Sequence, residues 1–587
     1  MNDSGFLAIR SFPRIRGSLR PAHWATALAA TGLLAYSVLT AGLSGDIRYC
    51  LAALRSGEGA GYTPAGIFIH RPYFYRMFIA GLDSLTAGSI EVREVIIRLA
   101  GVALCVAVGI ALRAALVRSL PHREATLTAA AVGLSLALAP LTDFLQPEWA
   151  AIVLSVFAVA AVLGFERRWV AVVVASLPLG LAVMMKYSTA ATAAMALLVV
   201  FAVDRMRAVL LGALTAVSAV VLLAFSLWSG SHELQWAKDM PQINQSSLSR
   251  TGIHPHLILD QSLSFLAERV YLSPVLALLP GALLLVLARQ ENRRRRAELA
   301  ALAALFVLVC IAAVAVQGNW FGYHAAALPV AAAALWGLAV AGWYSSFRTP
   351  PGFFLAVTAV YALLGPLVTS SPEPRLAIST AAPWAAAGVA LVAALLDLRR
   401  VRARRASEGA SGTERVMRRR AALGVAVASL AGVMCLAAPV WPGSPKLVDS
   451  VDHAALTNAS FQHGETVTAA TAARLNREIP KGAPVLYLAF GDVTYYIGHP
   501  AQCRYPIPTF LQRTKFLPET ADLPSTVENA RCITHDPAPY AVLQRSWFQL
   551  ARIDPVVRRN IEKYYDCPEA AGSTHQPVVC RLRADRA

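Results

Sequence analysis

The chain alternates between long apolar stretches and short polar segments from about residue 23 to residue 440. Most of the apolar stretches approach the roughly 20 residues that a helix needs to cross the hydrocarbon core of a bilayer. The pattern therefore predicts an α-helical polytopic membrane protein with about thirteen transmembrane helices. The predicted spans are 23–44, 94–117, 125–141, 149–165, 169–185, 187–203, 208–229, 272–288, 298–316, 325–342, 353–369, 380–396 and 421–440.

The composition supports this interpretation. Hydrophobic residues make up 56% of the 587 residues, charged residues make up 15%, and the mean hydropathy is +0.51. Soluble globular chains are typically about 45–50% apolar and about 25% charged, so the chain is not an ordinary cytosolic enzyme, a disordered chain or a fibrous one. The apolar residues form continuous stretches rather than alternating with polar ones, which excludes an outer-membrane β-barrel.

Basic residues outnumber acidic ones by 53 to 35, which gives a net charge of +18. The arginines form short clusters between the apolar stretches, and all clusters fall on one side if the thirteen spans alternate. Because basic loops stay in the cytoplasm, the N-terminus (residues 1–22) is predicted to be cytoplasmic and the C-terminus extracytoplasmic, with residues 23–440 in the inner or plasma membrane. This clustering argues against nucleic acid as a partner.

Two predicted external loops, 45–92 and 230–271, are polar, aromatic and punctuated by proline and glycine. Long loops without secondary structure are uncommon in compact domains, so ordered helices are expected in both. Segment 259–271 has the amphipathic pattern of a helix that lies at a membrane surface.

The tail, residues 441–587, is predicted to be a separate, small extracytoplasmic α/β domain. Prolines and a glycine at 439–445 mark its start. An amphipathic helix is expected at 465–479 and strands at 485–490 and 540–544, followed by a closing strand in PVVCRLR near the end. Three roles fit this domain: it could bind an acceptor, gate a cavity or serve as a cap without substrate contact.

Four cysteines lie in this tail: Cys503, Cys532, Cys567 and Cys580. Disulfides persist outside the cytoplasm, so these residues are candidates for two bridges. The nearest pairs in sequence are Cys503–Cys532 and Cys567–Cys580, although four cysteines allow three connectivities. No cysteine or histidine spacing indicates zinc.

Ionisable residues close to a membrane are energetically expensive and are therefore functional candidates, and here they concentrate on the predicted outer face. Asp46 follows the first span and could act as a general base on an acceptor hydroxyl, or it could simply cap the next helix. Arg48 and Tyr49 follow. His70 and Arg71 lie among aromatic residues, a mixture that suits a sugar and a phosphate but also an interfacial aromatic belt.

Further candidates lie at predicted helix ends on the same face. Asp143, Gln146 and Glu148 share a short turn, where an acidic residue can also simply stabilise a helix N-terminus. Lys186 is a lone cation that could hold a phosphate group or extend its ammonium group to the outer headgroups.

The segment QGNWFGYH forms another short external turn. Gln317, Asn319 and Trp320 together are typical of carbohydrate contact, although Trp and Tyr residues such as Trp320 and Tyr323 are also common interface anchors. His324 begins the next predicted helix and could face the bundle interior. No pair of ionisable residues in loop 230–271 has a metal-ligand spacing.

The order and common sidedness of these motifs resemble the C-type (GT-C) membrane glycosyltransferases, which use polyprenyl-phosphate sugars. The long aromatic first loop and the soluble tail fit the same family. The resemblance covers the layout of about residues 20–345 and fades afterwards. The matching motifs are GDIRYC (45–50), HRP (70–72), LQPEW (145–149), ERRW (166–169), LGLAVMMK (179–186) and QGNWFGYH (317–324).

The resemblance implies a GT-C-like fold and an inverting transfer of a sugar from a polyprenyl-phosphate donor. The acceptor would be an extracytoplasmic glycan, lipid or protein of the cell envelope, and membrane lipids would surround the bundle. Asp46 would be the catalytic base, and Lys186 and Arg71 would contact the lipid phosphate. The sugar pocket would be lined by Glu148, Tyr323 and His324.

One departure from the family concerns the acidic motif. Many members carry a second acidic residue beside the catalytic aspartate, whereas Ile47 follows Asp46 here. Asp83 and Asp143 therefore stay as alternative bases. No metal site is identified, and a divalent metal ion is the one cofactor left open.

Two other functions fit the sequence less well. A lipid-linked oligosaccharide ligase or polymerase shares the donor class, but its key residues usually lie in a large late external loop, whereas the first loop is the densest here. A transporter or flippase of lipid-linked sugar would need polar positions at mid-membrane depth, and the spans consist almost entirely of Ala, Val and Leu.

Overall fold

The structure is a computed structural model. It describes residues 20–230, 232–247, 255–347, 349–368, 375–407, 429–449, 454–507, 511, 518–568 and 576–584. Most of the predicted cytoplasmic N-terminus and the first part of the predicted span 421–440 lie outside these residues.

A helical bundle occupies the chain up to residue 440. Its helices are α1 (Arg20–Thr40), α2 (Gly45–Gly59), α3 (Tyr73–Ser84), α4 (Ile90–Leu116), α5 (His122–Ala137), α6 (Pro147–Gly164), α7 (Arg168–Met185), α8 (Ala190–Val203), α9 (Arg205–Ser229), α10 (Glu233–Ser247), α11 (Pro255–Leu272), α12 (Leu279–Ala288), α13 (Arg293–Gln317), α14 (Ala327–Phe347), α15 (Gly352–Val368), α16 (Ala382–Ser407) and α17 (Ser429–Val440).

Among the described residues, seven helices are long and apolar enough to cross a membrane, or up to nine if each of two bent helix pairs is one span. The predicted number of about thirteen is therefore not confirmed. In the described part of the chain the predicted stretches are helical, but several are short apolar helices, such as Tyr187–Val203 and Ser429–Val440. Hydropathy locates apolar stretches without showing where the chain bends, as at the 114° bend between Leu257–Leu272 and Pro274–Ala288, at the start of the predicted span 272–288. The chain is a multi-pass membrane protein.

Small residues allow the helices of the bundle to approach closely. Gly109 of α4 and Gly133 of α5 face each other, because a Cβ on either would lie 3.7 Å from the Cα of the other. A Cβ on Gly337 of α14 would lie 2.7 Å from the Cα of Thr128 in α5. Membrane helices associate by this kind of backbone-to-backbone packing, since the lipid is as apolar as the side chains.

The described parts of the two predicted loops contain helices, as expected. Helix α2 is mostly buried, and its Ile47, Leu51 and Leu54 side chains are at most 1% exposed. Loop 230–271 contains α10 and α11, and α11 includes the predicted amphipathic segment.

The described part of the tail contains four helices and contributes strands to two small sheets. The strands are β1 (Arg375–Ala377), β2 (Pro445–Asp449), β3 (Ala454–Thr457), β4 (Val485–Leu488), β5 (Tyr540–Leu543), β6 (Tyr565–Asp566) and β7 (Val578–Leu582), and the helices are α18 (Asn458–Asn476), α19 (Gly491–Ile497), α20 (Pro524–His535) and α21 (Pro555–Tyr564).

The four-stranded sheet has the order β4-β5-β7-β6, with β4 and β5 parallel and the other pairs antiparallel. The predicted strands at 485–490, at 540–544 and in PVVCRLR are confirmed. The other sheet has the order β1-β3-β2. Its β1 comes from the segment between α15 and α16, so the bundle itself contributes a strand to the tail.

The two disulfides join Cys503 to Cys532 and Cys567 to Cys580. The first links the segment after α19 to α20, and the second links β7 to the segment after β6. The nearest-neighbour pairing is therefore the one found.

Candidate active site

A cavity of about 580 Å³ opens where the bundle meets the tail. Helix α1 ends at Thr40, and the chain turns through Gly42, whose φ of +62° favours glycine. Helix α2 then starts at Gly45, which places Asp46 in its first turn and at the cavity wall. The N-terminal position explains why an acidic residue is tolerated here, but it leaves the carboxylate accessible, with the side chain 45% exposed.

Most of the predicted site residues line this cavity. The first loop contributes Asp46, Tyr49, His70 and Arg71. Later segments contribute Gln146, Lys186, Gln317 and Tyr323.

Asp46 is held by two cavity residues from different parts of the chain. Gln146, at the N-terminal end of α6, donates a hydrogen bond from Nε2 to Asp46 Oδ2 at 3.2 Å. The Arg71 guanidinium lies 3.8 Å from the same oxygen, and its side chain is 8% exposed. The carboxylate is therefore oriented and its charge is balanced, yet one side stays open to the cavity.

A second charged group lies around Lys186, directly after α7. Its Nζ is 2.6 Å from Glu148 Oε1 and 3.1 Å from His324 Nε2, and it lies 5.6 Å from the centre of the Tyr323 ring. These residues come from the start of α6, the end of α7 and the turn before α14. Glu148 and His324 lie behind Lys186 rather than in the cavity lining.

Several buried polar atoms around the cavity have no hydrogen-bond partner within the described part of the chain. They are Arg71 Nε, Gln146 Oε1, Glu148 Oε2, Asn319 Oδ1 and Asp492 Oδ1. A buried polar group without a partner typically costs about 1–3 kcal/mol. Such atoms gathered around one cavity point to a polar ligand that would satisfy them.

Besides Glu148 and His324, two more of the predicted substrate contacts, Arg48 and Asp143, do not line the cavity. Arg48 forms a buried ion pair with Glu94 at 2.7 Å and another with Glu465 of the tail. Asp143 is paired with Arg269 of α11 at 2.7 Å, with side chains 2% and 0% exposed. This placement disagrees with the prediction that Arg48 and Asp143 contact a substrate, because both charges are already neutralised by partners inside the protein.

The three candidate bases differ in whether they face the cavity. Asp83 pairs with Arg55 at 2.6 Å, away from the cavity. Asp143 is enclosed, as described above. Asp46 is the one of these three candidates that faces the cavity.

The tail residues that face the cavity were not among the candidates from the sequence. They include Lys446, Phe461, Phe490, Asp492 and Trp547. Their positions in the sequence share no spacing that would indicate contact with the bundle.

Burial perturbs two of these tail groups. It lowers the pKa of Lys446 to about 7. Burial, with the nearby Glu465 carboxylate as a second cause, raises the pKa of Asp492 to about 7. Both groups are close to changing charge near neutral pH.

No group of three or more His, Cys, Asp or Glu residues in the described ranges is arranged to hold a metal ion.

Comparison with known proteins supports the fold. No family model matches the chain, and no curated protein matches it. The crystal structure of ArnT from Cupriavidus metallidurans bound to undecaprenyl phosphate is similar, with a TM-score of 0.54, 16% identity, and coverage of 97% of this chain and 99% of ArnT. The apo state of ArnT gives a TM-score of 0.50, 14% identity and the same coverage.

A weaker likeness is to the arabinosyltransferase EmbB from Mycobacterium smegmatis, with a TM-score of 0.39, 16% identity, and coverage of 73% of this chain and 42% of EmbB. That score is too low to support an argument. The likeness to ArnT shows the fold, which is the GT-C membrane glycosyltransferase fold that the sequence predicts.

Proposed function

We propose that this protein is a membrane glycosyltransferase that moves a sugar from a polyprenyl-phosphate donor to an acceptor hydroxyl on the extracytoplasmic side. The main support for this proposal is the arrangement of side chains around Asp46. A half-exposed carboxylate faces the cavity beside a largely buried arginine, and a half-buried lysine lines the same cavity.

The cations Arg71 and Lys186 are the proposed binding groups for the donor phosphate. The buried Nε of Arg71 has no hydrogen-bond partner among the residues that the structure describes, and a guanidinium can donate two parallel hydrogen bonds to phosphate oxygens. ArnT, which shares the fold, was crystallised with undecaprenyl phosphate. A polyprenyl chain could stay in the bilayer while its phosphate reaches the cavity between the helix ends.

Asp46 is the proposed general base. It would take the proton of the acceptor hydroxyl, the freed oxygen would bond to the anomeric carbon, and the bond from that carbon to the phosphate oxygen would break. The electron pair leaves with the polyprenyl phosphate, whose negative charge Arg71 and Lys186 would stabilise. Attack opposite to the leaving group inverts the anomeric centre. Gln146 orients the carboxylate through the hydrogen bond at 3.2 Å.

The proposal is tested with the purified full chain in lipid nanodiscs. A panel of undecaprenyl-phosphate sugars, each carrying a radiolabel on the sugar, is incubated with cell-envelope extract as a source of acceptors. We expect undecaprenyl phosphate to be released in step with the transfer of label to the extract. No release from any donor would contradict the proposal, and movement of intact donor across a vesicle bilayer without cleavage would favour a flippase instead.

A further inference from the structure

The tail forms part of the wall of the cavity that also contains the cations proposed for the donor phosphate. We call Lys446, Phe461, Phe490, Asp492 and Trp547 the tail wall, because all five line the cavity. They come from β2, α18, the ends of β4 and β5 and the start of α19. A tail that only covered the bundle would not need a lysine and an aspartate on the surface that faces the cavity, since burying charged groups is energetically expensive.

The aromatic part of the tail wall is built by the parallel strands β4 and β5. Phe490 follows β4 and Trp547 follows β5, and their rings stack with centroids 4.4 Å apart and planes 21° apart. Gln544 fixes this end of the sheet, since its backbone N–H donates to Leu488 O and its side chain accepts from Phe490 N–H, both at 2.9 Å. Ligands of open α/β sheets typically bind at the carboxyl ends of parallel strands, which is where this pair lies.

The charged part of the tail wall lies next to the proposed base. Asp492 is so close to the first turn of α2 that a Cβ on Gly45, the residue before Asp46, would lie 3.2 Å from Asp492 Oδ2. Its other oxygen, Oδ1, is buried without a hydrogen-bond partner in the described residues. Lys446 is 8% exposed and lies over the ring of Phe461.

We infer that the tail wall is the acceptor subsite and that it binds a pyranose ring of a saccharide acceptor. The stacked Phe490 and Trp547 rings offer an apolar platform for one face of the sugar. Asp492 accepts hydrogen bonds from neighbouring sugar hydroxyls, and the Lys446 ammonium donates to another. This inference rests on the proposed function, in which Asp46 lies between the donor phosphate and the acceptor and receives the proton of the attacking hydroxyl.

The chemistry favours a saccharide over a peptide or a bare lipid headgroup. A stacked aromatic pair beside one carboxylate and one ammonium group matches a ligand with an apolar face and hydroxyls at its edge, which can donate to one group and accept from the other. A phosphate acceptor would be repelled by Asp492. An extended peptide would seek backbone partners along a sheet edge, whereas the wall presents side chains at a strand end.

The inference is tested by saturation-transfer NMR on the full chain in nanodiscs, without any donor. The probes are methyl pyranosides of the gluco, galacto, manno and N-acetylglucosamine types. We expect transfer from aromatic protons to the ring protons of at least one glycoside. Trp547→Ala should weaken binding by about tenfold, since aromatic contacts typically contribute about 0.5–1.5 kcal/mol and 1.4 kcal/mol is tenfold. Trp547→Phe should retain most of the signal.

Asp492→Asn should also weaken the transfer, whereas the matched control Asp536→Asn, on the exposed surface of the tail, should not. Absence of transfer to every glycoside with the wild-type protein, or equal transfer with Trp547→Ala, would overturn the inference. The proposed function is judged separately by donor cleavage. If undecaprenyl phosphate is released but no glycoside binds, only the acceptor subsite is wrong, whereas absence of release from every donor would contradict the transferase itself.

Discussion

Replacing the proposed base by its amide, Asp46→Asn, removes the proton acceptor while leaving the shape of the side chain almost unchanged. The variant keeps an oxygen that can accept the hydrogen bond from Gln146. It loses the ion pair with Arg71, in which the carboxylate is 45% exposed and the charged atoms are 3.8 Å apart. A partly exposed ion pair contributes about 1 kcal/mol or less to stability, so the variant should fold normally.

The effect on the reaction should be much larger than the effect on stability. A positioned general base typically accelerates a reaction by about 10²–10⁴-fold, which corresponds to about 2.7–5.4 kcal/mol in the activation barrier. The assay is single-turnover release of undecaprenyl phosphate from the radiolabelled donor identified in the panel. Thermal unfolding of the same preparation, followed by tryptophan fluorescence, measures the stability.

The matched control is Asp83→Asn, since Asp83 was an alternative base from the sequence but pairs with Arg55 away from the cavity. Its turnover per folded molecule should equal that of the wild type. A rate for Asp46→Asn within a factor of about two of the wild type, far below the contribution of a general base, would refute the reasoning. An equal loss in the Asp83 variant would refute the assignment of the base.

Three further predictions concern binding and stability. Arg71→Gln should weaken undecaprenyl phosphate binding by about ten- to a hundredfold, since hydrogen bonds to charged groups contribute about 1.5–3 kcal/mol, and equilibrium binding of the radiolabelled lipid measures this. Arg269→Gln should lower the free energy of unfolding by about 3–5 kcal/mol, because it leaves the buried Asp143 carboxylate unpaired; an unchanged unfolding midpoint would contradict this. Asp492→Asn should raise the unfolding temperature more at about pH 8 than at about pH 5. The pKa of the Asp492 carboxyl in the folded state is raised to about 7. The wild type therefore loses stability as the pH rises from about 4 to 7, whereas the amide carries no charge at either pH. An effect independent of pH would contradict that cause.

The ends of the apolar stretches explain how much of the site the sequence could predict. Asp46, Lys186 and Tyr323 are separated widely along the chain, but each directly follows or precedes an apolar helix on the same predicted face. Helices of similar length in one bundle bring such ends to a common level. Their presence around one cavity therefore follows from hydropathy and charge alone.

The pairing of buried charges could not be predicted in this way. Arg48 and Asp143 looked like the other polar residues at helix ends, but their partners Glu465 and Arg269 come from distant segments. Nothing in a single sequence shows which cation meets which carboxylate. Only the three-dimensional packing distinguishes a neutralised charge from one that faces a ligand.

The tail wall was missed for a related reason. The strands β4 and β5 were predicted correctly, yet the residues that follow them, Phe490 and Trp547, have no shared spacing. They meet because the two strands are parallel neighbours, and that pairing joins segments about 55 residues apart, a long-range contact that local pattern does not reveal.

The most direct test of the proposed donor site is a structure of the full chain in nanodiscs with undecaprenyl phosphate bound. We predict that the phosphate enters the cavity and lies within hydrogen-bond distance of Arg71 and Lys186, with the polyprenyl chain leaving between helices of the bundle. A phosphate bound at the opposite end of the bundle, or a cavity without lipid at a saturating concentration, would contradict it.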